Sequence, residues 1–311
     1  MNAYVNSLAG GKAVSSSARI EAFIRATDFD RPTLVLDTEL VAQQFRALKA
    51  GLGRADIHYA VKANPERAVI ETLVAEGSHF DAASRGEIEL CLGLGARPET
   101  ISFGNTIKKP VDIAFAYGAG ITLFAADSDM ELEKIAAHAP GVEVYIRLLM
   151  GTTEADWPLS RKFGTMESEV NALLAYAVHL GLKPVGLSFH VGSQTRRAEM
   201  WRDTLDRVAN VWTSAREAGF DLSLINIGGG FPAFYGEAID APEVYAAAVM
   251  DMVEPRFPGA TRIMAEPGRG MVAEAGMIAA EVLLVSKKSQ DDLHRWVYLD
   301  IGKFSGLAET M

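Results

Sequence analysis

The sequence predicts an α/β protein built on a closed (β/α)8 TIM barrel, followed by an incomplete β domain. Three observations point there. Short β-type runs alternate with amphipathic segments through most of the chain, the pattern of a parallel sheet covered on both faces. Eight such runs fall within roughly 210 residues, close to the ~250 typical of the closed barrel. After Gly276 the alternation stops and strand follows strand. A doubly wound open sheet is the alternative reading of the same alternation.

Arg31–Asp37 reads as a strand ahead of the first barrel unit. The barrel strands are expected at Asp56–Lys62, His79–Ser84, Thr100–Gly104, Ile121–Ala125, Val142–Leu149, Val185–Val191, Leu222–Gly228 and Arg262–Glu266. Helical periodicity marks Glu66–Glu76, Arg85–Leu94, Pro110–Tyr117, Met130–His138, Glu167–Leu180, Arg197–Ala218 and Pro242–Phe257. Ile278–Val285 and Trp296–Asp300 read as strands, with the polar Lys287–Asp292 as a hairpin loop between them. The expected domains are therefore 1–45, a segment giving a strand to the β domain; 46–275, the barrel; and 276–311, the start of the β domain. Without a longer β domain, the edges of Arg31–Asp37 and Ile278–Val285 are expected to lack partners.

The chain has 311 residues, 49% of them hydrophobic and 23% charged, which suits a globular chain with an ample core. No apolar run approaches the ~20 residues that span a bilayer. The first twenty residues lack the apolar block of a secretory leader, so a cytoplasmic location is expected. A net charge of −10 argues against general nucleic-acid binding. Cys91 is the single cysteine and is expected to be a buried, inert thiol. His58, His79, His138, His179 and His294 form no metal-ligand spacing, and no metal is expected.

Function is written at the strand ends, where barrels collect their chemistry. Tyr59-Ala60-Val61-Lys62-Ala63-Asn64-Pro65 delivers a lysine to the end of an apolar strand. A desolvated amine there suits nucleophilic attack on a carbonyl cofactor, although strand-end lysines also simply snorkel into water. Asp81, Arg147 and His190 end further strands. Gly228-Gly229-Gly230-Phe231-Pro232 follows the next, and turns without Cβ atoms let backbone N–H groups approach an anion; the plain alternative is a flexible turn. Glu266-Pro267-Gly268-Arg269 follows the last, where Arg269 could grip a phosphate or merely pair with Glu266. His190 could stack on a flat cofactor with Ser193 donating to its phosphate, or be only a satisfied polar residue.

Tyr59–Pro65, Phe80–Ser84, Lys162-Phe163-Gly164, Phe189–Gln194, Gly228–Pro232 and Glu266–Arg269 together resemble, in order over about residues 30–310, the alanine-racemase-fold decarboxylases of basic amino acids that use pyridoxal 5'-phosphate. Gly230-Phe231-Pro232, Trp157–Gly164, Leu299–Gly302 and Gly306–Thr310 look most like the bacterial ornithine/lysine decarboxylases. The resemblance implies that Lys62 carries the cofactor, His190 stacks on its ring and Glu266 pairs with the ring nitrogen. Ser193, Gly228, Gly229, Gly230, Gly268 and Arg269 would hold the phosphate, with Asp81, Glu87 and Arg147 supporting near the ring. It implies decarboxylation of ornithine or lysine to a diamine in polyamine biosynthesis, a small-molecule amino-acid substrate, and a homodimer when the chain is complete. Racemisation, cofactor carriage or a non-catalytic regulatory role remain alternatives. It also implies that a cysteine and an acidic residue entering the partner's site, and a phosphate-contacting tyrosine, belong beyond Met311, which leaves the activity of this chain itself doubtful.

Overall fold

The computed structural model describes residues 18–150 and 162–308. Its contacts divide the chain into two compact units, Val41–Ala273 and the combination of Met1–Leu40 with Glu274–Met311.

Eight parallel strands close the barrel of the larger unit in sequence order: β2 (Asp56–Ala60), β3 (His79–Ala82), β4 (Ile101–Phe103), β5 (Leu123–Ala126), β6 (Glu143–Arg147), β7 (Lys183–Ser188), β8 (Leu224–Asn226) and β9 (Arg262–Ala265). Closure comes from β9 pairing back onto β2, Met264 opposite Asp56 and Ala265 opposite Ile57. That closure excludes the open doubly wound sheet. Inside, Ala125, Tyr145, Leu224 and Met264 form a buried cluster. At the start of β6 and β9, the half-exposed Arg262 Nη1 and Glu143 Oε2 pair at 2.8 Å.

The helices wrap the barrel because their apolar residues recur on one face. α8 (Arg202–Glu217) buries Leu205, Val208, Trp212 and Ala215, a three- to four-residue spacing. α4 (Arg85–Gly93) starts at Ser84, whose hydroxyl accepts from the Glu87 amide. α5 (Pro110–Gly118) and α9 (Pro242–Val253) start on proline, where a missing N–H costs nothing. α3 (Arg67–Ala75), α6 (Asp129–His138) and α7 (Val170–His179) complete the alternation.

The smaller unit holds α1 (Ala18–Ala26), β1 (Thr33–Leu36), β10 (Gly276–Ala279), β11 (Val282–Ser286) and β12 (Trp296–Leu299). β1 pairs antiparallel with β10, and β11 with β12. The expectation that the β1 edge and the segment after Gly276 lack partners is therefore corrected: they find each other. The single run expected at Ile278–Val285 breaks at Ala280-Glu281, which lets its two halves join different strands. Helices α1 and α2 (Thr38–Leu52) went unread, although Val41, Phe45, Leu48 and Leu52 are buried at helical spacing.

Several barrel strands end one to three residues earlier than expected. Where backbone groups leave the ladder, side chains can turn inward over the mouth, so Lys62, His190 and Glu266 sit just beyond their strands. Among the described residues no helix is long and apolar enough to cross a membrane, and Cys91 is a buried free thiol pushed up to about 12 by burial.

Candidate active site at the barrel mouth

The loops that follow β2, β3, β6, β7, β8 and β9 carry the candidate residues, and hydrogen bonds tie those loops together. Lys62 lies on a single 3-10 turn, Val61–Ala63. Tyr59 Oη donates to the Asn64 carbonyl at 3.0 Å and so closes that turn from below. The Ala60 amide donates to Pro267 at 3.1 Å, and a Cβ on Gly268 would come within 2.8 Å of the Ala63 Cβ. The lysine turn is thus pressed against the Glu266–Gly268 loop. Lys62 itself is exposed, which corrects the expectation of a desolvated amine. Among the described residues the buried lysine is Lys108, held against Glu131 at 3.0 Å and lowered by burial to about 8.

Asp81, on β3, is only 6% exposed, and its Oδ1 has no hydrogen-bond partner. Burial first and the Glu266 charge second push its carboxyl up to about 8, so at neutral pH it holds a proton. A Cβ on Gly104 would lie 1.8 Å from Asp81 Oδ1, so the following strand leaves room for this carboxyl by omitting a side chain.

Glu266 is oriented by Asn226, whose Nδ2 donates to Glu266 Oε1 at 2.5 Å. The same amide's Oδ1 accepts from the Gly228 N–H at 2.9 Å, and the Glu266 amide donates to the Gly228 carbonyl at 2.8 Å. His190 Nδ1 accepts from the Gly192 amide at 2.9 Å, which leaves the imidazole proton on Nε2. Burial and then the Arg147 and Lys62 charges lower His190 to about 3, keeping it neutral. Its Nε2 would lie 3.1 Å from a Cβ on Gly229. Gly228 and Gly230 have φ of 69° and 108°, and Cβ atoms there would strike the Phe189 and Gly192 carbonyls. The glycines are therefore a close approach of two loops, beyond a mere flexible turn.

Gln194 locks those loops. It holds φ of 60°, donates from Nε2 to the Ala233 carbonyl and accepts from the Ala233 amide at 3.0 Å. Below it, Trp201 Nε1 donates to Tyr245 Oη at 2.8 Å, and Tyr245 donates on to the Thr195 carbonyl. Ser193, half-buried, is held on this clamped segment. Arg147 lies 5.6 Å from the Phe163 ring. Gly164 binds Asp127 Oδ2 at 2.8 Å, while residues 157–161 of the Trp157–Gly164 run, and Glu309 and Thr310, lie outside the described residues. Arg269, exposed, donates to Tyr235 Oη at 3.2 Å. The Glu87 carboxylate accepts from the Ala83 amide at 2.6 Å and reaches Asp81 only through its field.

The structure thus gathers Lys62, Asp81, Arg147, His190, Glu266 and the Gly228–Gly230 turn at one end of the barrel. Sequence reasoning gave Asn226 and Tyr145 no part in the site, and Gln194 only a place within the Phe189–Gln194 motif. Asn226 carried a usable signal, a polar residue interrupting the apolar run Leu224–Ile227 before the glycines. His58 and His79, without ligand spacing in sequence, meet inside with ring nitrogens 3.2 Å apart. No group of three or more His, Cys, Asp or Glu side chains suited to a metal occurs among the described residues.

This donor set fits a flat, phosphorylated aldehyde with a basic ring nitrogen. An exposed amine stands at the mouth, an unpartnered buried carboxyl oxygen and an oriented carboxylate wait below, and the glycine turn leaves backbone room for an anion. The comparisons agree. Residues 38–273 match the family model described as "Pyridoxal-dependent decarboxylase, pyridoxal binding domain". The chain belongs to that family. It is 35% identical over 247 residues to an ornithine decarboxylase of Mus pahari, covering 79% of this chain and 53% of the relative. Against the lysine/ornithine decarboxylase of Selenomonas ruminantium it is 31% identical over 283 residues, covering 89% and 70%. The crystal structure of lysine/ornithine decarboxylase from Vibrio vulnificus complexed with putrescine superposes with a TM-score of 0.85 at 32% identity, covering 96% of this chain and 79% of that one. The chain spans about half the length of the first curated relatives it matches.

Proposed function

We propose that this chain is the pyridoxal 5'-phosphate-binding part of a decarboxylase that converts ornithine or lysine to the corresponding diamine. The observation that carries the reading is the meeting of Lys62, Glu266 and the Gly228–Gly230 turn at one barrel mouth, with names and bound diamine among relatives as further support. When bound, the cofactor supplies an electron sink for the pair left as the Cα–carboxylate bond breaks.

The protein's part is to bind and orient. Lys62 Nζ is the attachment point, and the Gly228–Gly230 amides, Ser193 and Gly268-Arg269 hold the phosphate. Neutral His190 offers a flat face to the ring, while Glu266 meets the ring nitrogen. Asp81 holds its proton beside Glu266, so the pair presents one negative charge to one cationic nitrogen. Arg147 balances that charge from the side. In the net reaction CO2 leaves and one proton is taken up at Cα.

The wider reading is a cytoplasmic enzyme of polyamine biosynthesis that works as a homodimer. Residues 46–275 serve as the cofactor domain, and 1–45 with 276–311 as parts of a β domain. The test is borohydride reduction of the cofactor-loaded protein followed by peptide mapping. The label is expected on Lys62, and CO2 release from ornithine or lysine is then assayed on the full-length protein. Label on another lysine would refute the attachment site.

A further inference from the structure

Asn226 is wholly buried, and both ends of its side-chain amide are engaged. Nδ2 donates to Glu266 Oε1 and Oδ1 accepts from the Gly228 amide. A single amide therefore spans the two halves of the site, the carboxylate that faces the ring nitrogen and the turn that holds the anion. Its own backbone is fixed in β8, pairing with Met264 of β9 on one side and Ser188 of β7 on the other. Resting on the cofactor reading above, we propose that Asn226 is a positioning residue that aims the Glu266 carboxylate and holds it in register with the anion turn.

The chemistry favours this role for an amide. Asp81 and Glu266 act on each other at the mouth, and Asp81 holds its proton at neutral pH. A donor placed on one of them stabilises its charged form. Asn226 puts its N–H on Glu266, whereas Asp81 Oδ1 receives none. The donor thus falls on the carboxylate that faces the ring nitrogen, while Asp81 keeps its proton. The other groups acting on the pair are Lys62, Arg147, Glu87 and the Tyr145 hydroxyl. Among the described residues, Asn226 alone joins Glu266 to the glycine turn through its side chain.

The test is a cycle of N226L and E266Q in the cofactor-loaded protein, with N226A as a second, smaller variant in case leucine disturbs folding. Folding is checked by circular dichroism and urea unfolding. The readout is the pH at which the bound cofactor's absorbance changes, together with its dissociation constant. In the Glu266 background, N226L and N226A are expected to move that pH by about one unit or more and to weaken binding about tenfold. In the E266Q background the same changes are expected to leave the pH midpoint within about 0.3 unit, because the group through which Asn226 acts is gone. Equal shifts in both backgrounds, or none in either, would overturn the assignment of Asn226 while leaving the cofactor reading intact. Failure of the unsubstituted protein to bind pyridoxal phosphate would overturn both readings and would be recognised as such.

Discussion

Replacing Asp81 with asparagine is expected to stabilise the cofactor-free protein while impairing the site. The folded protein holds this carboxyl near 8 against an ordinary 3.8, through burial and the Glu266 charge. A group whose pKa is raised on folding contributes its stability below the unfolded value and loses it as pH rises towards the folded one. Between about pH 4 and pH 8 the unfolded chain has released the proton and the folded chain has not, so stability falls by about 1.4 kcal/mol per pH unit. At pH 7 the accumulated cost is on the order of 4 kcal/mol. Asparagine keeps the shape and never ionises, so D81N removes this slope. The assay is urea unfolding of cofactor-free wild-type and D81N protein at pH 5, 6 and 7. The variant's advantage is expected to widen by about 1.4 kcal/mol per unit across that range. A difference that does not change with pH would refute the claim that Asp81 is buried with its proton. Cofactor affinity of D81N is expected to fall, the usual conflict between stability and function at a charged site.

Two more substitutions probe the barrel and its mouth. Burial, then the neighbouring His79, lowers His58 to about 3, with Arg262 adding a smaller effect; Asp56, Arg97, Lys49 and Glu99 surround His79. His58 therefore stabilises the fold above about pH 6.5, and that stability is lost as pH falls towards 3; unfolding at pH 5 and pH 7 should show a loss of roughly 2 kcal/mol in wild type that H58Q lacks. An equal loss in both proteins would refute it. G229A puts a Cβ within 2.8 Å of the Glu266 carbonyl and 3.1 Å of His190 Nε2, which overpacks the site by about 1–3 kcal/mol. Weakened pyridoxal-phosphate binding, measured by absorbance titration, is the expected result, and unchanged affinity would refute the close-approach reading of the turn.

The barrel was legible in the sequence because its signal is local: eight apolar runs, each followed by a helical period, leave few ways to bury both faces of a parallel sheet. The strand-end motifs were legible for the same reason, since Lys62, His190, the three glycines and Glu266 each sit where an apolar run stops. Burial and pairing were decided only by tertiary structure. The sequence marked Lys62 as the desolvated lysine, yet Lys62 is exposed and Lys108 is the one enclosed with Glu131. Spacing separated His58 from His79, and parallel register brought them together across β2 and β3. Asn226 read as one more residue of a strand until closure set Glu266 beside it. A chain's own pattern specifies which faces must be hidden, whereas the partner of a polar atom depends on residues distant in sequence, and only the closed barrel brings those within hydrogen-bonding reach.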